Sequence, residues 1–281
     1  MHLLIPAAGM GRRMGSDRNK LLLTLRSQPL IAWTLRAAAA SREISWIGII
    51  SQPTDWVDLK EILGGLCLTK PVQLIQGGTT RQESVYNGLQ ALPAGAQQVL
   101  IHDGARCLAT PELFDRCAVA IRGTRGQGEL GVPTEWGLGV KGTRGQGGKK
   151  AGGEKPLASR LSPTTNYQLP TTNYPITGLI AAIPVKDTIK VVDGAGLIQA
   201  TPDRSQLWAA QTPQAFDVQL LKQCHEKGRQ QGWEVTDDAA LFERCGLPVQ
   251  IVAGEETNLK LTTPIDLAIA EFILQQRLGS G

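Results

Sequence analysis

The residues best placed to do chemistry come first in the chain. An apolar run, Leu3-Leu4-Ile5, ends in Pro6-Ala7-Ala8-Gly9, continues through Met10-Gly11-Arg12-Arg13-Met14-Gly15, and is followed by Lys20, with no acid before Asp17. Small residues let the backbone approach a ligand and aim its N–H groups at it. Arginine and lysine add charge that suits phosphate. A strand ending this way can cradle a nucleoside triphosphate. The dinucleotide fingerprint does not fit, because Gly11 and Gly15 are four residues apart and two arginines stand where the helix should open. The Walker loop fails as well, since no lysine directly follows either glycine.

Two later runs offer partners. In Gly77-Gly78-Thr79-Thr80-Arg81-Gln82-Glu83-Ser84, exposed N–H groups and a serine hydroxyl at a helix start can read a base edge or a phosphate; the same residues also make a capped helix start. In Ile101-His102-Asp103-Gly104-Ala105-Arg106, an acid at a strand end beside a phosphate loop can bind Mg2+ directly or through water, or cap its own loop. The chain has only three histidines, which argues against a histidine metal site or catalytic triad.

Alternating elements must hold these loops together. The pattern predicts strands over 2–6, 46–50, 72–75, 97–101, 179–183 and 248–252. It predicts helices over 28–40, 55–63, 81–92, 111–122, 217–229, 236–245 and 263–277. This rhythm implies a Rossmann-like α/β fold with a mostly parallel sheet covered on both faces. Ligands then sit at the carboxyl ends of the strands, so the loops after 2–6, 72–75 and 97–101 can share one site. Residues 184–208 read as an extended excursion, Thr188 to Val192, a turn at Asp193-Gly194, then Leu197 to Trp208. Such a hairpin cannot bury both faces alone, and it is expected to pack on another subunit.

The segment 123–178 breaks the rhythm. Twelve glycines fall between 123 and 153, Gly-Thr-Arg-Gly-Gln-Gly occurs twice, and so does Pro-Thr-Thr-Asn-Tyr. The composition reads as a low-complexity, disordered insertion at a surface turn. Residues 122–160 carry eight Lys or Arg against three acids, so the formal charge of +4 on 281 residues originates there and gives little support for a nucleic-acid surface. Five scattered cysteines without C-x-x-C, no apolar run near the ~20 residues of a membrane span, and a first strand at the very start lead us to expect a cytoplasmic protein without leader or membrane segment.

Further on come Pro184-Val-Lys-Asp-Thr188-Ile-Lys, Arg204, Thr212-Pro-Gln, Val235-Thr236-Asp237-Asp238 and Asn258-Leu-Lys260. In this order, after P-A-A-G-x-G-x-R-M and H-D-x-A-R, the chain resembles the 2-C-methyl-D-erythritol 4-phosphate cytidylyltransferases of non-mevalonate isoprenoid synthesis. The likeness covers 1–122 and 179–277. It implies one nucleotidyltransferase domain over 1–277, with 123–178 inserted and 184–208 as a dimerising β-arm. It also implies transfer of CMP from CTP to 2-C-methyl-D-erythritol 4-phosphate with Mg2+, by a homodimer. Arg13 and Lys20 would act on the triphosphate and transition state. Ala7, Ala8, Gly9, Gly11, Gly78 and Ser84 would hold the nucleotide. Asp103, Gly104 and Arg106 would line the junction with the sugar phosphate, with Asp103 toward the metal. Thr188 and Arg204 would enter the neighbour's site, and Thr212, Thr236 and Lys260 would complete the acceptor pocket. Asn19 and Leu21 flank Lys20 where proline and glutamine are usual, Thr79 replaces an acid, and Cys107 replaces a proline.

The implied chemistry is in-line nucleotidyl transfer by an acceptor phosphate that is already ionised, which needs no general base. A ribitol phosphate cytidylyltransferase would share the nucleotide half. A silent nucleotide-binding regulator would be expected to lose Arg13, Lys20 or Asp103, and all three are present. A basic RNA-associated protein would rely on 122–160.

Overall fold

The computed structural model describes residues 1–8, 19–123 and 176–279. They belong to one unit, Met1–Gly126 with Ile176–Gly281. The glycine loop 9–18, with Gly9, Gly11 and Arg13, lies outside the described residues, as does 124–175 of the expected insertion.

In chain order the elements begin with β1 (His2–Pro6), β2 (Thr24–Leu25), β3 (Gln28–Pro29), α1 (Leu30–Ala40), β4 (Trp46–Ser51) and α2 (Trp56–Leu66). Next come β5 (Val72–Gln76), α3 (Arg81–Gln90), β6 (Gln98–Ile101), α4 (Pro111–Gly123), β7 (Gly178–Pro184), β8 (Val191–Val192) and β9 (Ile198–Ala200). The chain closes with β10 (Trp208–Asp217), α5 (Val218–Gln230), α6 (Asp238–Arg244), β11 (Val249–Ala253) and α7 (Pro264–Gly279). Seven strands form one sheet in the order β11-β7-β10-β6-β1-β4-β5. All neighbours run parallel except β10, which is antiparallel to both β6 and β7.

β1 shows why the sheet is covered on both sides. Leu3 and Ile5 project to one face and join Leu35 of α1 and Phe114 of α4 in one core. Leu4, between them, projects to the other face and joins Val85 of α3, Leu221 of α5 and Phe242 of α6. All three are fully buried, and each such side chain contributes about 1.5–3 kcal/mol. Helix starts follow local chemistry. Thr110 accepts from Leu113 N ahead of Pro111, and Asp266 accepts from the amides of Thr262 and Thr263 as α7 opens. Among the described residues, no helix is long and apolar enough to cross a membrane.

Two expectations need correction. Leu197 to Trp208 is not one strand: only Ile198–Ala200 pairs with Val191–Val192, a 3-10 turn spans Arg204–Gln206, and Trp208 belongs to the main sheet. The helix expected from 28 starts at Leu30, because Gln28 and Pro29 pair with Thr24 and Leu25.

Candidate active site

A cleft of about 530 Å³ opens at the carboxyl ends of β1, β5 and β6. Ala7 and Ala8 lie on the floor after β1, Gly78 on the β5–α3 turn, Ser84 in the first turn of α3, and Asp103 and Gly104 after β6. Lys20 and Lys260 complete the walls, and Lys20 Nζ donates to Leu261 O at 3.2 Å.

The β5–α3 turn is built by its own side chains. Thr80 caps α3 by accepting from Glu83 N. The Ser84 hydroxyl donates to Thr80 O at 2.8 Å and accepts from Gly78 N at 3.0 Å. The Glu83 carboxylate accepts from both Thr79 N and the Thr79 hydroxyl. A Cβ on Gly78 would lie 2.3 Å from Glu83 Cγ, so the turn packs too closely for a larger residue. A Cβ on Gly104 would meet Leu21 Cδ1 at 2.6 Å, which presses the Asp103 loop against the turn that carries Lys20.

Asp103 is the electrostatic centre. Its Oδ2 accepts from Lys260 Nζ at 2.7 Å, and its Oδ1 faces Arg81 Nη2 at 3.6 Å. Burial opposes the charged carboxylate, but the two cations outweigh it and hold the group at about 2. Behind the cleft, Arg81 donates to Asp238 Oδ2 at 2.8 Å, and Asp238 Oδ1 lies 3.1 Å from His225 Nε2. Burial works against the Arg81 charge, yet Asp238 and Asp103 more than offset it and raise its pKa.

The Asp103 backbone is held as well. Its N–H donates to Thr212 Oγ1 at 3.0 Å, and that oxygen lies 3.0 Å from His102 Nδ1. Burial lowers His102 to about 4, so the ring is neutral at pH 7. Its Nε2 lies 3.1 Å from Arg106 O, a carbonyl that can only accept. The ring proton therefore sits on Nε2, and Nδ1 accepts from the Thr212 hydroxyl.

The separate sequence runs interlock here. Arg106 donates to Asn258 O at 2.7 Å and to Ala210 O at 3.2 Å. Asn258 Nδ2 donates to Thr212 O, and Gln214 Nε2 donates to Asp237 Oδ2, whose other oxygen caps α6. Arg106 and Thr212 thus bind protein groups in this chain and do not line the cleft. Thr236 is exposed just before the α6 cap, outside the cleft lining. Thr188 is exposed, and Arg204 donates to Lys186 O; neither lines the cleft of its own chain.

Arg81 and Gln52 line the cleft although the sequence reading gave them no role. Arg81 carried a signal, being the only cation at the opening of the Gly-Gly helix. Gln52, which donates to Gly78 O, carried none. A second cavity of about 730 Å³ lies between α3 and α5, and no residue of the loops after β1 or β6 lines it.

The family model for 2-C-methyl-D-erythritol 4-phosphate cytidylyltransferase (IspD) matches residues 1–133 and 162–276. A curated protein of that name from Nostoc punctiforme is 62% identical over 277 residues, covering 99% of each chain. One from Microcystis aeruginosa is 58% identical over 278 residues, covering 99% of this chain and 100% of the relative. Among solved structures, 4-diphosphocytidyl-2C-methyl-D-erythritol synthase from Anaerococcus prevotii is similar at TM-score 0.72 and 27% identity, covering 98% of this chain and 97% of that one. The 2-C-methyl-D-erythritol 4-phosphate cytidylyltransferase from Thermus thermophilus is similar at TM-score 0.62 and 26% identity, covering 97% and 98%. Sheet, cleft and relatives together define an enzyme of the nucleotidyltransferase class. Within that class, the chain belongs to the 2-C-methyl-D-erythritol 4-phosphate cytidylyltransferase family.

Proposed function

We infer that this chain transfers CMP from CTP to 2-C-methyl-D-erythritol 4-phosphate and releases pyrophosphate, a step in isoprenoid precursor synthesis. The carrying observation is the pairing of Arg81 and Lys260 with Asp103, in a cleft that Lys20 also lines, where three parallel strands end.

The acceptor's phosphate oxygen attacks the α-phosphorus of CTP. One P–O bond forms, the bond to the β-phosphate oxygen breaks, and pyrophosphate leaves with the electron pair. The attacking monoester is ionised at neutral pH, so no proton must be removed. His102 fits that picture, since it is neutral and engaged at both ring nitrogens. Both reactants are anions, and the site's task is to cancel their repulsion and stabilise charge on the phosphoryl oxygens. We assign that task to Lys20 together with Arg13. Backbone and small residues at Ala7, Ala8, Gly9, Gly11 and Gly78 give the nucleotide its close approach, and Ser84 fixes the turn beneath it. Lys260 faces the acceptor phosphate, and Asp103 and Gly104 line the junction. Arg106 and Thr212 act from behind, by holding that loop.

Mg2+ is bound in such sites through one or two carboxylates and substrate phosphates, without an all-protein cage. Among the described residues, Asp103 is the only carboxylate lining the cleft, and no cluster of three metal-ligating side chains occurs. That donor set fits a cation carried largely by the triphosphate, with Asp103 contributing directly or through water. Bound there, the ion neutralises triphosphate charge and favours departure of pyrophosphate.

Residues 184–208 leave Val192, Leu197 and Ile198 more than half exposed. We assign this β-arm to a homodimer contact that carries Thr188 and Arg204 into the neighbour's site. The enzyme works in the cytoplasm as a single domain over 1–277, with its insertion between α4 and β7, inside the 123–178 expected from the sequence; the family model leaves 134–161 of it unmatched.

The decisive assay incubates purified protein with CTP, Mg2+ and either 2-C-methyl-D-erythritol 4-phosphate or ribitol phosphate, scoring pyrophosphate and the cytidine diphosphate product. Turnover with the first acceptor is expected. Faster turnover with ribitol phosphate would reassign the acceptor.

A further inference from the structure

We propose that Asn19 is a positioning residue for Lys20, clamping the turn that carries Lys20 to the loops after β1 and β4. This rests on the reading of Lys20 as a catalytic residue.

Asn19 is 6% exposed, and its carboxamide binds three separate groups. Oδ1 accepts from Leu21 N at 3.1 Å, which starts the 3-10 turn Lys20–Leu22. Nδ2 donates to Ala7 O at 2.6 Å, on the cleft floor, and to Asp55 Oδ2 at 2.8 Å. Asp55 ends the 3-10 turn Pro53–Asp55, whose amide closes on Gln52 O, and Gln52 Nε2 in turn donates to Gly78 O. One side chain therefore ties the Lys20 turn to the β1 loop and, through Asp55 and Gln52, to the β5–α3 turn.

The chemistry of the clamp is specific. It needs two donors on one atom and an acceptor on the other, which the carboxamide supplies and a carboxylate does not. Asn19→Asp would keep the bond to Leu21 N, lose both donations and face Asp55 with like charge. Lys20 needs such help because its ammonium ends a flexible four-carbon stem. Fixing the stem's root narrows where the charge can stand, and a displacement of ~1 Å at a reacting centre can cost ~10²-fold in rate.

The test compares steady-state kinetics of Asn19→Ala, Asn19→Asp, the swap pair Asn19→Asp with Asp55→Asn, and Lys20→Ala, with thermal melts of each. We expect Asn19→Ala and Asn19→Asp to lower kcat by about 10–100-fold, with KM for CTP changed by less than about threefold and an intact cooperative melt. In the swap pair the carboxamide stands at position 55 and can donate to the carboxylate at position 19. That pair is expected to regain at least about threefold over Asn19→Asp alone. Two outcomes overturn the inference while leaving Lys20 in place: both Asn19 variants within about twofold of normal kcat while Lys20→Ala is impaired, or no regain in the swap pair. A loss of kcat that only tracks a collapsed melt also overturns it, since that marks a merely structural residue. If Lys20→Ala turns over normally, the Lys20 reading fails and this inference falls with it.

Discussion

Asp238 stands directly behind Arg81, with 2.8 Å between its Oδ2 and the guanidinium that faces Asp103 at 3.6 Å on the other side. One cation therefore serves two carboxylates, one buried and one lining the cleft. Asp238→Asn removes the rear charge while keeping the shape. Hydrogen bonds to charged groups contribute about 1.5–3 kcal/mol, and Arg81 keeps 30% exposure and its contact to Asp103, which softens the loss. We expect about 1–2 kcal/mol of destabilisation, read as a lower urea midpoint at unchanged slope.

Acid should weaken the protein in two stages. His102 has its folded pKa lowered from 6.5 to about 4, so the unfolded chain takes up its proton first as pH falls. The contribution is full above pH 6.5 and is lost on the way down to about pH 4, about 3 kcal/mol in all. Asp103 is also depressed, from 3.8 to about 2, so its smaller share of about 2 kcal/mol disappears below about pH 4. His102→Gln should flatten the upper stage and leave the lower one, in urea midpoints measured every half pH unit. An unchanged upper stage would mean that another group drives it.

Lys20→Ala should reduce kcat by ~10²–10³, the loss expected when one transition-state donor is removed. CTP binding by calorimetry should remain, because other groups hold the nucleotide.

Subunit mixing tests the arm. Lys20→Ala and Arg204→Ala chains should each be nearly inactive alone. Mixed and re-equilibrated, they should regain up to about a quarter of normal activity, because half the dimers are mixed and each mixed dimer holds one site free of both changes. No regain would place Arg204 in its own chain's business.

Much of this architecture can be read in the residues, for reasons that differ by element. Runs such as Leu3–Ile5 and Val99–Ile101 are buried on both faces, so their apolar character is unbroken and visible. The helix starts at Thr110 and Thr263 announce themselves through hydroxyl, proline and acid in sequence. β10, the longest strand in the sheet, escapes the pattern. It carries Pro213, and its pairing with β7 shifts register between Ala210 and Gln214, so no regular alternation marks it. At the site, the gathering of the loops after β1, β5 and β6 is legible because parallel strands deliver their carboxyl ends to one edge. That Arg106 and Thr212 turn to protein carbonyls and amides is not, because a polar residue type does not reveal which of its possible partners is nearer.

The longest strand also links two places that sequence distance keeps apart. β10 begins at Trp208, where the arm rejoins the body, and four residues later presents the Thr212 hydroxyl to the Asp103 amide. Its stem pairs with β7 at Trp208, Ala209 and Ala210, and the pairing resumes at Gln214 after the register shift that holds Thr212. The root of the arm and the hydroxyl that anchors the Asp103 backbone thus share a single strand.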